Sequence, residues 1–200
     1  MSLDPAPRRF PVPHGVRSSV TLHELAELQR FASEAGTVLE IGTHFGFSCI
    51  GMALAGAHVT SVDPHFEGPA DNPDTWEPFL ANLRRHGLAY VAFGDDTYTS
   101  FGGAPPELSP TINAFRMTIE TAYLKDWRWG LVFIDGDHVW PYPWRDIEIA
   151  QAHLREGGVI AMHDVTPNWP GVYRAAHQLQ AQGWREVGGA GTLRVYRRAK

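Results

Sequence analysis

The sequence predicts an α/β protein in which a mostly parallel sheet is covered by helices on both faces. Three observations lead to this class. Short apolar segments alternate with amphipathic segments along most of the chain. Glycines lie directly beyond the first and fourth apolar segments, where a strand would turn toward a helix. Acidic residues stand at or just past the ends of five of the apolar segments, which is the edge where open parallel sheets bind ligands.

Hydrophobic periodicity predicts the individual elements. Apolar residues at spacings of three, as in Leu22, Leu25 and Leu28, indicate a helix, whereas short continuous apolar runs indicate buried strands. The last two strands flank the sequence GGAG, which predicts an antiparallel hairpin at one edge of the sheet. The predicted fold is a seven-stranded, doubly wound, Rossmann-like sheet. Its strands are 38–41, 58–62, 90–93, 131–134, 159–162, 184–187 and 192–196, and its helices are 19–35, 48–55, 76–87, 112–124, 144–154 and 172–182.

Length and composition limit the possible organisation and partners. The 200 residues suit a single domain over 20–200, preceded by an extended arm over 1–19 that contains four prolines. The net charge of −5 gives no reason to expect nucleic acid binding, and no run of 18 apolar residues predicts a membrane span. A cytoplasmic protein is expected. The single cysteine, Cys49, excludes an intramolecular disulfide, and the oligomeric state stays open, a homo-oligomer included.

The first motif, LEIGTHFGFS, connects the first strand to a helix of small residues. Its two glycines do not follow the dinucleotide pattern G-x-G-x-x-G, so a nucleoside with a short amino-acid tail is favoured over a dinucleotide. A glycine here lets a ligand touch the backbone, and a serine at the helix start can meet a carboxylate. An ordinary strand–helix turn is the alternative. The candidate cofactor-binding residues are Glu40, Gly42, Thr43, Gly46 and Ser48.

Acidic residues after the second and third strands extend this nucleoside hypothesis. Asp63, in SVDP, lies a little over twenty residues beyond Glu40, which is the separation expected for an acid that binds ribose hydroxyls. Asp95 and Asp96, in FGDDTY, follow the third strand. Either of them can bond an adenine amino group or simply cap the next segment.

Two later strands deliver a mixed set of carboxylates and imidazoles. Asp135, Asp137 and His138 follow the fourth strand, and His163 and Asp164 follow the fifth. Such a set can ligate a divalent metal. A set dominated by oxygen favours magnesium or manganese, whereas additional histidine ligation favours iron or zinc. Taken singly, each histidine is also compatible with a surface or core role.

Tryptophans flank both of these motifs. Trp140 and Trp169 lie in proline-containing loops just past them. Aromatic walls at these places suit a flat or sugar-like acceptor, although packing within the loops explains the tryptophans as well.

With its motifs placed, the chain resembles the class I S-adenosylmethionine-dependent methyltransferases over residues 37–165. LEIGTHFGFS is similar to the first cofactor motif, SVDP to the ribose-binding acid and FGDD to the adenine-side loop. The segment from FIDGDH to AMHDV resembles the small-molecule O-methyltransferase branch similar to methyltransferase family 24. That branch includes cephalosporin- and macrolide-tailoring enzymes and is more distantly similar to catechol O-methyltransferase.

The resemblance implies a reaction and roles for individual residues. It implies transfer of a methyl group from S-adenosylmethionine to a hydroxyl of a small molecule, assisted by Mg²⁺ or another divalent metal. Asp135, His163 and Asp164 fall at the positions of the metal ligands, with His163 in place of a more usual carboxylate. His138 falls where a general base is expected, and Asp135 joins it as a catalytic residue.

Two other functions remain open from the residues. One is a metal-dependent hydroxylase or hydrolase that uses His138, His163 and Asp164 around iron or zinc. The other is a non-catalytic nucleoside-binding protein on the same fold. Fold-level likeness does not decide between these functions.

Overall fold

The computed structural model describes residues 9–66, 74–94, 97–101, 111–122, 124 and 126–199. Its helices are α1 (Leu22–Ala35), α2 (Phe47–Leu54), α3 (Trp76–Arg85), α4 (Tyr142–His153) and α5 (Pro170–Ala181). Its strands are β1 (Thr37–Ile41), β2 (His58–Asp63), β3 (Tyr90–Gly94), β4 (Thr97–Phe101), β5 (Ile112–Arg116), β6 (Trp129–Ile134), β7 (Leu154–Met162), β8 (Trp184–Ala190) and β9 (Leu193–Arg198). Across these described stretches, every helix is too short or too polar to cross a bilayer.

All nine described strands belong to one sheet, in the order β4-β3-β5-β2-β1-β6-β7-β9-β8. The six strands from β3 to β7 in this order pair in parallel, whereas β4 and the β8–β9 hairpin pair antiparallel at the two ends. The predicted class, a mostly parallel α/β sheet with a C-terminal antiparallel hairpin, is confirmed.

Two hydrophobic cores cover the two faces of the sheet. Alternate strand residues point to opposite faces, so Val38 contributes to the core beneath α1, α2 and α3, while Leu39 contributes to the core beneath α4 and α5. Both side chains are fully buried. The central strand β6 is buried along its whole length because helices cover it on both sides.

The prediction of a helix over 112–124 was wrong, and the sheet has nine described strands instead of seven. Residues 112–116 form β5, which inserts between β2 and β3 and pairs with both in parallel. Ile112 and Ala114 are fully buried, whereas Asn113 and Phe115 are half-buried. This alternation is the period of a strand, and the ladders on both sides outweigh the weak helical pattern. The second addition, β4, pairs with β3 at the sheet edge.

Candidate active site

The carboxyl ends of four parallel strands meet at one edge of the sheet. Backbone hydrogen bonds align the ends of these strands: Gly42 N–H donates to the carbonyl of Val62 at 3.0 Å, and Asp135 N–H donates to the carbonyl of Ile41 at 2.8 Å. His163 N–H donates to Ile134 at 3.1 Å. The residues that follow β1, β2, β6 and β7 therefore emerge side by side. The structure brings Asp63 and Asp135 to the same edge, on either side of the turn after β1.

The turn after β1 has a backbone that side chains tolerate poorly. Gly42, His44 and Gly46 have positive φ angles of 87°, 50° and 88°. A Cβ at Gly42 would overlap the carbonyl of Asp135, and one at Gly46 would overlap the ring of Phe79. Glycine is thus required at both places, by conformation and by space. The tight turn keeps β1 close to β6 and leaves the backbone on its outer side open to a ligand.

Asp63, at the end of β2, holds this turn through its side chain. Oδ2 accepts hydrogen bonds from the backbone N–H groups of Thr43 at 2.7 Å and His44 at 2.8 Å, while Oδ1 accepts from His65 N–H at 2.6 Å. The side chain is 16% exposed. Because each carboxylate oxygen can accept more than one hydrogen bond, Asp63 retains the capacity to accept from a ligand.

Glu40 lies beneath the turn and is fully buried. Ser48 Oγ donates to one carboxyl oxygen at 2.6 Å and Thr43 Oγ1 donates to the other at 3.0 Å. Burial raises the pKa of Glu40 to about 8, despite these two hydrogen bonds, which act in the opposite direction. The side chain is therefore mostly protonated at neutral pH. In this structure the polar groups of Glu40, Thr43 and Ser48 face each other, and cofactor contact by these three residues stays a prediction.

One cavity joins the turn to the later strands. It is lined by Gly42, Thr43, His44 and Ser48, by both Asp63 and Asp135, and by Arg17, Ser18, Ser19 and Val20 of the N-terminal arm. Burial lowers the pKa of His44, so its ring is neutral near pH 7. The other two cofactor candidates, Asp95 and Asp96, lie outside the described residues.

A second group of side chains stands beside this cavity. Ligand atoms of Asp135, His138 and Asp164 all lie within 4.8 Å of one another. His138 Nε2 is 3.0 Å from Asp164 Oδ2, and the His138 ring packs on Trp169 with a centroid distance of 4.5 Å. Asp137, by contrast, turns away to accept a hydrogen bond from Val139 N–H at 2.7 Å.

His163 contacts the same two acids from a buried position. It is 3% exposed, and its Nδ1 lies 3.2 Å from Asp135 Oδ1 and 3.3 Å from Asp164 Oδ2. Its Nε2 lies 3.4 Å from Glu24 Oε2. Burial lowers the pKa of His163, but the three carboxylates outweigh burial and raise it to about 9. Without an ion His163 is therefore protonated at neutral pH, and its role as a metal ligand stays a prediction. The imidazole whose ligand atom lies within 4.8 Å of oxygens of both Asp135 and Asp164 is that of His138.

Sequence reasoning missed two contributors to this edge. Glu24, from α1, reaches His163 and also accepts hydrogen bonds from the backbone and side chain of Thr192 at 2.8 and 3.0 Å. Arg17 comes from the arm. A signal for Glu24 was present, since Thr21-x-x-Glu24 is a capping box, but nothing local shows that its carboxylate also faces a histidine 139 residues away.

Comparison with solved structures places this fold among known methyltransferases. An O-methyltransferase from Bacillus cereus in complex with SAH matches at 18% identity and a TM-score of 0.60, covering 90% of this chain and 83% of that one. TomG from Streptomyces achromogenes, an O-methyltransferase of tomaymycin synthesis in complex with SAM, matches at 16% and 0.62, covering 90% and 82%. A putative caffeoyl-CoA O-methyltransferase from Staphylococcus aureus matches at 16% and 0.62, covering 92% and 86%. At these identities the likeness concerns the fold.

Comparison of the sequence itself gives the family. No curated protein sequence matches the chain. The family model described as "Methyltransferase domain" matches residues 39–165, well over half of the chain, from the middle of β1 to the loop after β7. The match thus contains the glycine turn, Asp63 and the group formed by Asp135, His138 and Asp164. The chain belongs to this family of methyltransferase domains.

Proposed function

We propose that this methyltransferase moves a methyl group from S-adenosylmethionine to a hydroxyl oxygen of a small molecule. One observation carries the proposal: Asp135 belongs both to the cavity at the glycine turn and to the group with His138 and Asp164. A donor held at the turn and an acceptor held at His138 are therefore neighbours. The names of the solved structures, which are O-methyltransferases with SAM or SAH, support the same donor and atom type.

The donor binds along the glycine turn in this proposal. Its ribose hydroxyls donate to Asp63, and its amino-acid end lies over Gly42, which lines the cavity. The two carboxylates that line the cavity, Asp63 and Asp135, complement the positive charge of a sulfonium.

His138 acts as the base. When Nε2 donates to Asp164, the lone pair on Nδ1 is left to take the proton of the acceptor hydroxyl. The oxygen then forms a bond to the methyl carbon as the bond from that carbon to sulfur breaks, and the electron pair stays on the sulfur as a thioether. Asp164 holds the ring in this tautomer. Trp169 supports the other side of the ring and fixes its plane.

The acceptor lies against the apolar surface around His138. Val139 is 63% exposed and Trp169 is 45% exposed, both directly next to the base. Tyr142 and Tyr173 add further exposed ring surface on the adjoining helices. Such a surface suits a flat or sugar-like small molecule, which can stack on an indole ring.

A divalent metal also fits the residues at this edge. Two carboxylates and one imidazole, from Asp135, Asp164 and His138, form an oxygen-rich set with partial exposure to solvent. A divalent ion bound there would lower the pKa of an acceptor hydroxyl. It would also take the single lone pair of the neutral His138 ring, so His138 serves either as a ligand of the ion or as the base. His163 opposes metal binding, because its positive charge already interacts with the same two carboxylates.

Substitution of the base tests the reaction. In His138→Ala, the affinity for S-adenosylhomocysteine, measured by calorimetry, should stay within about twofold, since the donor site is left intact. Turnover, measured as S-adenosylhomocysteine release over a panel of hydroxylated small molecules, should fall by about 100-fold or more. His177→Ala, an exposed histidine of α5, serves as the control. Equal turnover in the His138 variant and the wild type would remove the residue from the mechanism.

Metal use is tested separately. We expect Mn²⁺ to raise the unfolding temperature of the wild-type protein by mass action, and expect no such rise in Asp135→Asn or Asp164→Asn. Asp137→Asn, whose side chain only closes a turn, is the matched control. An identical response in all four proteins would exclude this cluster as the metal site and leave His138 with the role of base alone.

A further inference from the structure

The N-terminal arm reaches the cavity at the glycine turn and brings a positive charge to it. Arg17, Ser18 and Ser19 line the cavity together with Gly42, Asp63 and Asp135. Arg17 is exposed, and its guanidinium lies 5.9 Å from the ring of Phe45 within the turn itself. Among the described residues that line this cavity, Arg17 is the single arginine or lysine.

The arm is fixed on both sides of Arg17. Before it, Gln29 Nε2 donates to the carbonyl of Pro11 at 2.8 Å, Arg85 Nη1 donates to that of Gly15 at 3.3 Å, and Val16 packs against the core. After it, Val20 is 6% exposed and buried in the same core. Residues 17–19 therefore bridge two anchored points, and the position of Arg17 over the turn follows from the packing of the arm.

Arg17 has no ion-pair partner among the described residues. In the described part of the chain, no carboxylate lies within ion-pair distance of its guanidinium, whereas Arg30 and Arg116 both have such partners. Its neighbours in the cavity include two acids and the neutral His44. A guanidinium without a carboxylate partner, held at the mouth of a ligand cavity, is suited to a planar anion.

We infer that Arg17 binds the carboxylate of the amino-acid end of the methyl donor, so that the arm forms part of the donor site. This inference rests on the proposed function. The donor carries a positive sulfonium, and its amino-acid end has an ammonium group beside a negative carboxylate. Among the described residues that line the cavity, Asp63 and Asp135 supply negative charge and Arg17 is the one arginine or lysine. The match of charges orients the donor, with its carboxylate toward the arm and its ribose toward β2.

Two ligands that differ in this carboxylate test the inference. S-adenosylhomocysteine has the amino-acid end, and 5′-methylthioadenosine has the same nucleoside and thioether without it. Calorimetry on Arg17→Gln should show about tenfold weaker binding of S-adenosylhomocysteine, with 5′-methylthioadenosine within about twofold of its wild-type affinity. Arg17→Lys should lie between, since it keeps the charge and loses the planar fork. Arg9→Gln, an exposed arginine of the same arm, removes the same charge elsewhere and should bind both ligands normally.

The possible outcomes separate this inference from the proposed function. Wild-type protein that binds neither ligand would overturn both. Wild-type protein that binds S-adenosylhomocysteine, with Arg17→Gln binding it equally well, would overturn the role of Arg17 alone. Equal weakening of both ligands in Arg17→Gln would also overturn it, because the effect would then come from the shape of the arm and not from the carboxylate.

Discussion

Asp63 has a structural task in addition to any contact with a ligand. Its two oxygens accept three backbone N–H groups, two of them from the turn after β1. His44, which supplies one of these N–H groups, has a positive φ angle, as do Gly42 and Gly46 beside it. The turn is therefore neither strand nor helix, and the Asp63 carboxylate holds its backbone in place. An acidic side chain that backbone N–H groups hold in place is already oriented before a ligand binds to it.

Substitution of Asp63 should therefore affect both binding and stability. Asp63→Ala leaves three N–H groups without their acceptor and should lower the free energy of unfolding by about 1–3 kcal/mol. It should also weaken S-adenosylhomocysteine binding. Urea unfolding and calorimetry measure the two effects. Asp74→Ala is the comparison, since its carboxylate pairs with Arg116 and accepts one backbone N–H, that of Trp76, where Asp63 accepts three. Full stability in Asp63→Ala would show that water replaces the carboxylate at the turn.

Glu40 should make stability depend on pH. Its pKa in the folded protein is raised to about 8 from an ordinary value of 4.5. The folded state therefore holds this proton more tightly than the unfolded state, and the stabilisation is complete below the ordinary pKa and is lost as pH rises through the folded value. Glu40→Gln stays neutral. Its free energy of unfolding relative to wild type should rise by at least about 1 kcal/mol between about pH 5 and about pH 9.

The measurement is urea unfolding of both proteins over that range. Glu34→Gln, at an exposed position on α1, gives the response of an ordinary carboxylate. A difference between Glu40→Gln and wild type that stays constant with pH would contradict a buried, protonated Glu40.

At the scale of elements, the start of α1 is tied to the β8–β9 hairpin by one side chain. Glu24 Oε2 accepts from the backbone N–H and hydroxyl of Thr21, both at 2.8 Å, which completes the helix cap. Its Oε1 accepts from Thr192. Burial raises the pKa of Glu24, but the hydrogen bonds from Thr21 and Thr192 outweigh burial and lower it to about 2. Helix, hairpin and the His163 position are thus linked through a buried carboxylate.

Glu24→Gln should loosen this junction. The amide nitrogen that replaces one oxygen cannot accept, so two part-buried donors, those of Thr21 or those of Thr192, lose their acceptor at a cost of about 1–3 kcal/mol in the free energy of unfolding. Glu27→Gln, on the same helix in a surface ion pair with Arg30, should cost less than about 1 kcal/mol. Denaturant unfolding compares the two, and equal costs would mean that the junction does not contribute to stability.

At the scale of the whole molecule, stability should be highest at the centre of the sheet. β6 is buried throughout and pairs with β1 and β7, whereas most residues of β8 are at least partly exposed and β8 pairs with β9 alone. Amide hydrogen exchange followed by mass spectrometry should show the slowest exchange in β1 and β6 and clearly faster exchange in β8. Equal protection in β6 and β8 would show that the sheet opens only as one unit.

Several features of this protein follow from local sequence. A short, continuous apolar run such as Leu131–Ile134 predicts a strand that is buried on both faces. This prediction does not require knowing which strands lie beside it. The positions of Gly42 and Asp63 relative to strand ends are equally local. The sequence by itself therefore determined the α/β class, the C-terminal hairpin and the edge at which the candidate residues emerge.

The tertiary structure decided which of these residues meet. Ile112–Arg116 became a strand because β2 and β3 offered hydrogen-bond partners on both sides, which a local helical pattern does not reveal. The raised pKa of His163 comes first from Asp135, then from Asp164 and from Glu24, which reaches the ring from a distant helix. Arg17 reached the cavity at the glycine turn because Pro11, Gly15 and Val20 anchor the arm. Apolar periodicity is a property of residues that are neighbours along the chain, whereas strand pairing, charge pairing and burial depend on distances in space, which only the folded chain fixes.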